Sequence, residues 1–243
     1  MLFKLITMAY FAIGLTLFCQ AQSVKDSIAK TSPALTWGLY SQGFIPFSGV
    51  VLNHHTTLEA SFSAPAKPVT FFLYKSLDTY DYTTGLNYIT TGFLKTVPAS
   101  EKLSFTVAGY YCISQMGSFW DSTSDAGLLV KSNWKISNRL SAELFAMAGN
   151  LTKKFLQKNL TNRAQLSYHV KNIDINLFAW YFAPLWHNKA YTAVSPQVTV
   201  NRVPVTKNIR LNTSLAWFNM IKKSQGCAIQ NSVILSIKYP VNW

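Results

Sequence analysis

Charged residues are scarce in this 243-residue sequence, at 13% of the total, whereas about a quarter is usual for a soluble domain. Acidic residues are the scarcest: nine stand against 22 lysines and arginines, so the formal net charge is +13. Past the N-terminal segment, no stretch has the ~18 uninterrupted apolar residues that a membrane-spanning helix requires. The sequence therefore does not favour an ordinary soluble domain, and it excludes a bundle of transmembrane helices.

The common catalytic and ligand-binding patterns HExxH, GxSxG, GxGxxG and CxxC are also missing. Ser167 and His169 share a strand face, but two positions along a strand span about 7 Å, too far for a direct hydrogen bond. His54 and His55 are adjacent and point to opposite faces, which disfavours a shared metal site. Catalysis is therefore the least favoured function. We expect no catalytic residue, metal or cofactor, and, without a basic helix or recognition motif, no nucleic-acid partner.

The N-terminus has the pattern of a secretory signal peptide. Lys4 is the only charged residue before Lys25, and positions 5–18 are almost continuously apolar. Cysteine and alanine at positions 19 and 21 supply small residues for cleavage before Gln22. We predict a signal peptide over residues 1–21 and a periplasmic lead over 22–33. Lipidation of Cys19 is the less favoured alternative, because Phe18 directly before it is too bulky for that motif.

Cysteine is rare in the remaining chain, which contains Cys112 and Cys227. Disulfides persist in exported proteins, but their geometry is strict, and we place these residues on strands far apart. Two free thiols are favoured, and a disulfide remains the alternative.

The rest of the chain reads as strands separated by turn signals. Twelve segments have strand character, although ten strands remain possible because the first third alternates poorly. Most of them fit, or slightly exceed, the length of about 9–11 residues that crosses a membrane as a tilted strand. The predicted segments are 35–46, 50–64, 69–78, 84–96, 102–114, 126–137, 139–149, 163–171, 173–183, 193–205, 208–220 and 231–243.

The final segment alternates most clearly. Ser232, Ser236, Lys238 and Asn242 occupy one parity, and the other parity is apolar: Val233, Leu235, Ile237, Tyr239, Val241 and Trp243. Period-2 alternation places the two sets on opposite faces of a strand. The connections between segments alternate in length along the chain. Compact turns such as 137–139 and 206–208 alternate with longer loops such as 115–125 and 150–162. A soluble sandwich would not require that asymmetry, whereas a membrane barrel shows it.

A cleavable signal, alternating short turns and longer loops, and a terminal aromatic together resemble a small Gram-negative outer-membrane β-barrel protein of the porin-like superfamily. The resemblance implies an all-β fold in which residues 34–243 form a closed antiparallel barrel of about 12 strands. It also implies contact with the lipid bilayer. Tyr239 and Trp243 would act as a C-terminal signal for the barrel-assembly machinery. The oligomeric state stays open.

If the apolar parities face lipid, the opposite parities line the lumen. The candidates are mostly basic or polar: Lys131, Asn133, Lys135, Glu143, Gln165, His169, Lys171, Arg210, Asn212 and Lys238. A basic lining favours anions, so we expect a small pore or transporter for polar solutes, with a lean toward anionic ones.

A second basic set is expected in the outer loops: Lys153, Lys154, Lys158, Arg163, Lys189, Lys222 and Lys223. Such residues can pair with phosphates of lipopolysaccharide. The alternative function is therefore a non-conducting structural or adhesive barrel whose outer loops bind lipopolysaccharide or a protein partner.

Overall fold

The computed structural model describes residues 32–45, 50–53, 55–80, 87–115, 125–149, 151, 159–184, 190–223 and 231–241. The predicted signal peptide, Cys227, Trp243 and the loop lysines 153, 154, 158 and 189 lie outside these residues. Within the described ranges, no helix is long and apolar enough to cross a membrane.

Fourteen strands form in the described residues, and twelve of them close into one antiparallel barrel in the order β1-β14-β13-β12-β11-β10-β9-β8-β7-β6-β5-β4. The remaining two, β2 and β3, pair as a separate hairpin. The prediction of a closed barrel of about 12 strands is confirmed. The strands are β1 Ala34–Tyr40, β2 Gly43–Ile45, β3 Val50–Asn53, β4 Thr57–Ala66, β5 Val69–Asp78, β6 Asn87–Pro98, β7 Leu103–Gln115, β8 Asp125–Lys135, β9 Leu140–Gly149, β10 Asn159–Val170, β11 Ile173–Pro184, β12 Tyr191–Pro204, β13 Arg210–Lys223 and β14 Ser232–Val241.

The first two predicted segments are each interrupted. Segment 35–46 is β1 followed by β2, and segment 50–64 is β3 followed by β4. The wall strand β1 ends at Tyr40, where Ser41 terminates the pairing with β14. Its backbone N–H donates to the Leu235 carbonyl, and its hydroxyl accepts from the Leu235 N–H. The chain then leaves the barrel wall as a hairpin before β4 returns to it.

The wall closes where β1 pairs with both β14 and β4. Across this seam Trp37 lies opposite Tyr239, and Gly38 lies opposite Lys238 and Glu59. Directly opposed residues share a face of the sheet. This register therefore continues one set of inward-facing side chains and one set of outward-facing side chains from strand to strand around the barrel. The outer set is apolar, and its side chains are widely exposed, as with Trp37 at 52% and Trp217 at 58%. A belt of exposed apolar side chains is what contact with a bilayer requires.

The predicted faces of the closing strand are correct for the described residues. In β14, Val233, Leu235 and Ile237 are exposed on the outer face, whereas Ser232 and Ser236 are buried inside. Because the barrel is closed, this alternation places the polar parity in the interior.

The two ends of the barrel differ in their connections. Five short turns, at 67–68, 99–102, 136–139, 171–172 and 205–209, lie at one end, which we call the turn end. Three of them carry the same cap: the hydroxyls of Ser100, Ser137 and Thr206 each accept two backbone N–H groups from the following residues. Such local bonds are typical of serine and threonine in turns. The opposite end, which we call the loop end, carries the longer connections.

Candidate pore interior

The structure distributes the sequence-predicted lumen residues over two levels. Six lie on the inner face of the wall strands: Lys131, Asn133, Glu143, Gln165, Asn212 and Lys238. Lys135, His169 and Arg210 share the inner parity but are exposed at the turn end. The expectation for Lys171 is wrong. It lies in the β10–β11 turn with φ 54°, past the last residue of the strand, so it does not line the wall.

Arg163 is a second correction. It was expected in an outer loop, but β10 begins at Asn159, so Arg163 lies inside the wall, where it faces Phe145 and Trp180. Its guanidinium carbon lies 4.8 Å from the centre of the Phe145 ring, a cation–π distance. Its parity with Gln165 indicates an inner position, but Arg163 was grouped with the preceding loop because it is the first residue of the predicted segment 163–171.

Arg163 belongs to a charge network on β8, β9 and β10. Its guanidinium donates to Glu143, whose other carboxylate oxygen lies 3.4 Å from the Lys131 ammonium. One acidic side chain thus holds two basic ones on adjacent strands. The network leaves one excess positive charge on this wall.

A second group of charges lies across the barrel at the seam. Glu59 is 6% exposed, and its carboxylate lies beside the hydroxyls of Tyr40 and Tyr74 and near the ammonium of Lys238. Gly38 lies between Glu59 and Lys238 in the register. A Cβ at Gly38 would meet both side chains at 3.7 Å and the Tyr40 ring at 3.2 Å. The missing side chain therefore leaves the space that these groups share.

Aromatic side chains fill the interior toward the loop end. Trp180, Tyr191 and Phe218 are 3%, 2% and 0% exposed. The Trp180 ring centre lies 5.2 Å from Phe178, in a stacked pair, and 5.8 Å from Phe218. Sequence patterns missed the β11 members of this cluster because Phe178 and Trp180 share the parity of Asp174 and Asn176, which made β11 a poorly alternating strand. The signal was the aromatic run itself, since a lumen also buries apolar groups when it is packed.

Tyrosines form a second aromatic group on the β5–β6 wall. Tyr74 and Tyr88 are both buried, and their ring centres are 5.6 Å apart. Tyr40 is buried as well and packs in the cluster that contains Trp180 and Phe218. Together with the aromatic side chains of β11 to β13, these rings narrow the lumen in its loop-end half.

A cavity of about 220 Å³ lies at mid-height. One side is aromatic, with Tyr40, Phe178 and Trp180, and the strands β10 and β12 to β14 supply a polar lining of Gln165, Ser195, Gln197, Ser214 and Ser236. The charged residues that line it are Arg163 and Lys238, and among the described lining residues none is acidic. A cavity with this lining can hold a small polar solute and favours negative charge.

Histidine–aspartate pairs occur at both ends of the lumen. At the loop end, His55 Nδ1 lies 3.1 Å from Asp78, which also accepts the Tyr80 N–H. At the turn end His169 contacts Asp174, which also accepts the Asn201 side-chain amide at 2.6 Å. Ser167 accepts from Gln165 instead of bonding to His169, so the two are not arranged as a nucleophile and its base. The described residues contain no group of three or more potential metal ligands.

Neither a protein-family profile nor a curated protein sequence matches the chain. Solved structures do match. The KdgM porin superposes with a TM-score of 0.58 at 9% identity, over 86% of this chain and 99% of that chain. The KdgM porin in complex with disordered oligogalacturonate gives 0.56 at 8% identity, over 87% and 99%. The NanC porin gives 0.54 at 10% identity, over 87% and 100%.

These identities are too low to transfer a solute, and the likeness establishes the fold. The closed wall, the apolar outer surface and the shared architecture show that the chain folds as a closed antiparallel β-barrel similar to the barrels of the KdgM and NanC porins.

Proposed function

We propose that the barrel is a narrow outer-membrane pore for small polar solutes, with a preference for anions. The observation that carries this proposal is the mid-height cavity, which Arg163 and Lys238 line from opposite sides of its polar strip without an acidic residue among the described lining. Positive charge on a low-dielectric wall attracts anions and repels cations.

The polar strip provides hydrogen bonds for a solute that leaves part of its water behind. Ser214 and Ser236 are 2.6 Å apart, and Gln165 donates to Ser167 and Asn176. Hydroxyl and amide side chains can act as donors and acceptors. A solute moving along them exchanges water contacts for protein contacts without crossing a wholly apolar surface.

The two basic residues differ in how strongly they are neutralised. Arg163 shares Glu143 with Lys131, whereas Lys238 has Glu59 nearby and lies 5.3 Å above the Tyr40 ring. Neither Glu59 nor Glu143 is among the residues that line the cavity. The solute therefore meets the cations first, which supports selection of anions.

One porin of the same fold is described in complex with oligogalacturonate, a chain of carboxylate-bearing sugars. This fold can therefore hold a polyanion, which supports an anionic solute here. The identity of the solute remains part of the proposal.

A barrel that does not conduct is the second candidate function, and the buried aromatic cluster favours it. Trp180, Tyr191 and Phe218 occupy lumen space that a wide pore would leave to water. In that case function would reside in the loops, where Lys222 and Lys223 are exposed at the end of β13. The predicted binding of lipopolysaccharide by the outer-loop lysines belongs to this candidate.

Planar-bilayer recording of refolded protein separates the two candidates. We expect small conductance steps. In a potassium chloride gradient, we expect a reversal potential whose sign shows that chloride is more permeant than potassium. The double variant K222Q/K223Q is the matched control, because these exposed lysines lie at the loop end of β13 and do not line the mid-height cavity. Inserted protein without conductance would refute the pore, and cation preference would refute the role of Arg163 and Lys238.

We also propose that residues 1–21 are removed on export and that the assembly machinery recognises the final strand through Tyr239 and Trp243. Tyr239 lies on the outer face opposite Trp37, which is consistent with an exposed recognition element.

A further inference from the structure

The five short turns share a feature that the pore does not use. Each carries one basic residue: Lys67, Lys102, Arg139, Lys171 and Lys207. All five are exposed, and Glu101 is the one acidic residue in these turns. We call these five residues the turn-end cations.

In the described part of the chain, no acidic side chain forms an ion pair with any of the turn-end cations. The carboxylate of Asp174, at the turn end of β11, already accepts hydrogen bonds from His169 and Asn201. Lys135, Arg202 and Arg210 add three more exposed basic side chains at this end. The uncompensated charge requires counter-ions from outside the protein.

Exposed apolar and aromatic side chains show where this charge lies relative to the bilayer. Trp134 and Tyr168 are exposed on the outer face near the ends of β8 and β10, and aromatic residues of this kind mark a membrane interface. Ile136 and Val205 lie within the turns and are 52% and 58% exposed. A turn that combines an exposed apolar residue with a cation fits the boundary between acyl chains and headgroups.

The arrangement is a ring and not a one-sided patch. Neighbouring strands are about 4.8 Å apart, so adjacent turns place their cations on the order of 10 Å apart around most of the circumference. A single docked protein would contact one sector of such a ring, whereas surrounding lipid contacts all of it. Short turns face the periplasm in outer-membrane barrels, where the leaflet consists of phospholipid.

We propose that the turn-end cations bind anionic phospholipid headgroups of the inner leaflet, and thereby select such lipids around the barrel. Lysine and arginine form charge-assisted hydrogen bonds with phosphate oxygens. The proposal does not depend on whether the lumen conducts.

Trp134 provides a local reporter for the test, because it lies opposite Leu103 and between the turns that carry Lys102 and Arg139. Refolded protein is placed in vesicles containing brominated phosphatidylglycerol or brominated phosphatidylcholine. The difference in quenching between wild type and W134F gives the contribution of Trp134. At low salt we expect phosphatidylglycerol to be favoured on the order of fivefold, the effect of one basic residue at an anionic surface, and less at high salt.

The variant K102Q/R139Q should bring this ratio close to one, whereas K222Q/K223Q, which removes two charges at the loop end, should leave it unchanged. Heat-modifiable migration on gels verifies that each variant is folded. Equal quenching by both lipids in the wild type would overturn the proposal without any variant. An equal loss in both double variants would also overturn it, as would retention on purified peptidoglycan combined with no lipid preference.

Discussion

Glu59 and Lys238 face the same space across the bare backbone of Gly38, which pairs with both of them at the seam of the barrel. Their side chains come from β4 and β14, the two strands that pair with β1 at the seam. The opposite charges therefore stabilise the closure of the barrel as well as setting the charge of the lumen.

Removing one partner of this pair should destabilise the barrel more than removing both. We expect E59Q and K238M each to lower the free energy of unfolding by about 1–3 kcal/mol, because each leaves a buried polar group without its partner. The double variant should lose less than the sum. Urea unfolding in lipid vesicles measures all three. Additive losses would contradict a direct interaction.

The variant E143Q should increase anion preference. Glu143 holds both Lys131 and Arg163, so its neutralisation adds a positive charge to the lumen. We expect the ratio of chloride to potassium permeability to rise by roughly twofold or more, measured from the reversal potential. K238Q should act in the opposite direction. A shift of the same sign in both variants would exclude charge as the cause.

Truncating the aromatic cluster should widen the lumen. W180A and F218A each remove a buried ring and should cost about 3–5 kcal/mol of stability, while single-channel conductance increases. W217A is the control, because Trp217 precedes Phe218 in β13 but faces outward and is 58% exposed. If W180A and F218A left the conductance unchanged, the narrowest point would lie elsewhere.

Two glycines on adjacent strands should respond differently to alanine. A Cβ at Gly92 would lie 2.2 Å from the Gly109 carbonyl oxygen, so β6 and β7 would have to separate. A Cβ at Gly109 meets only Leu128, at 3.9 Å. We expect G92A to destabilise the barrel by about 3 kcal/mol or more and G109A to be within about 0.5 kcal/mol of wild type. Thermal gel-shift midpoints measure the difference, and similar midpoints would refute the close approach.

Deletion of Trp243 should impair assembly without altering solute preference. The measurement is the fraction of heat-modifiable protein in outer membranes, together with the reversal potential of the protein that does fold. W217A again serves as the control, since it removes an outward aromatic residue away from the terminus. Wild-type assembly without Trp243 would exclude this residue as a recognition signal.

The sequence predicted the barrel wall better than it predicted the side chains that fill the lumen. Val233, Leu235 and Ile237 lie on the outer face as expected, because a closed barrel gives each alternating strand one inner and one outer environment. No comparable alternation predicts which side chains pack inside the lumen. Trp180 and Phe218 are buried in the lumen although a polar lining was expected, because packing across the barrel depends on strands far apart in sequence.

Arg163 shows the same limit at a strand boundary. Its side chain was assigned to a loop because the polar residues before it resemble one, but pairing of Asn159 with Gly149 and Pro184 extends β10 toward the loop end. Sheet pairing can continue a strand through residues that have little preference for it. The Glu143 network could be recognised only after that pairing was known.

The hydroxyl caps of Ser100, Ser137 and Thr206 close three of the turns with hydrogen bonds that lie within the turn itself. Each cap is formed by residues within three positions of one another, so it needs nothing from the neighbouring strands. The loss of one of these hydroxyls should therefore weaken its own turn and leave the other two capped turns intact.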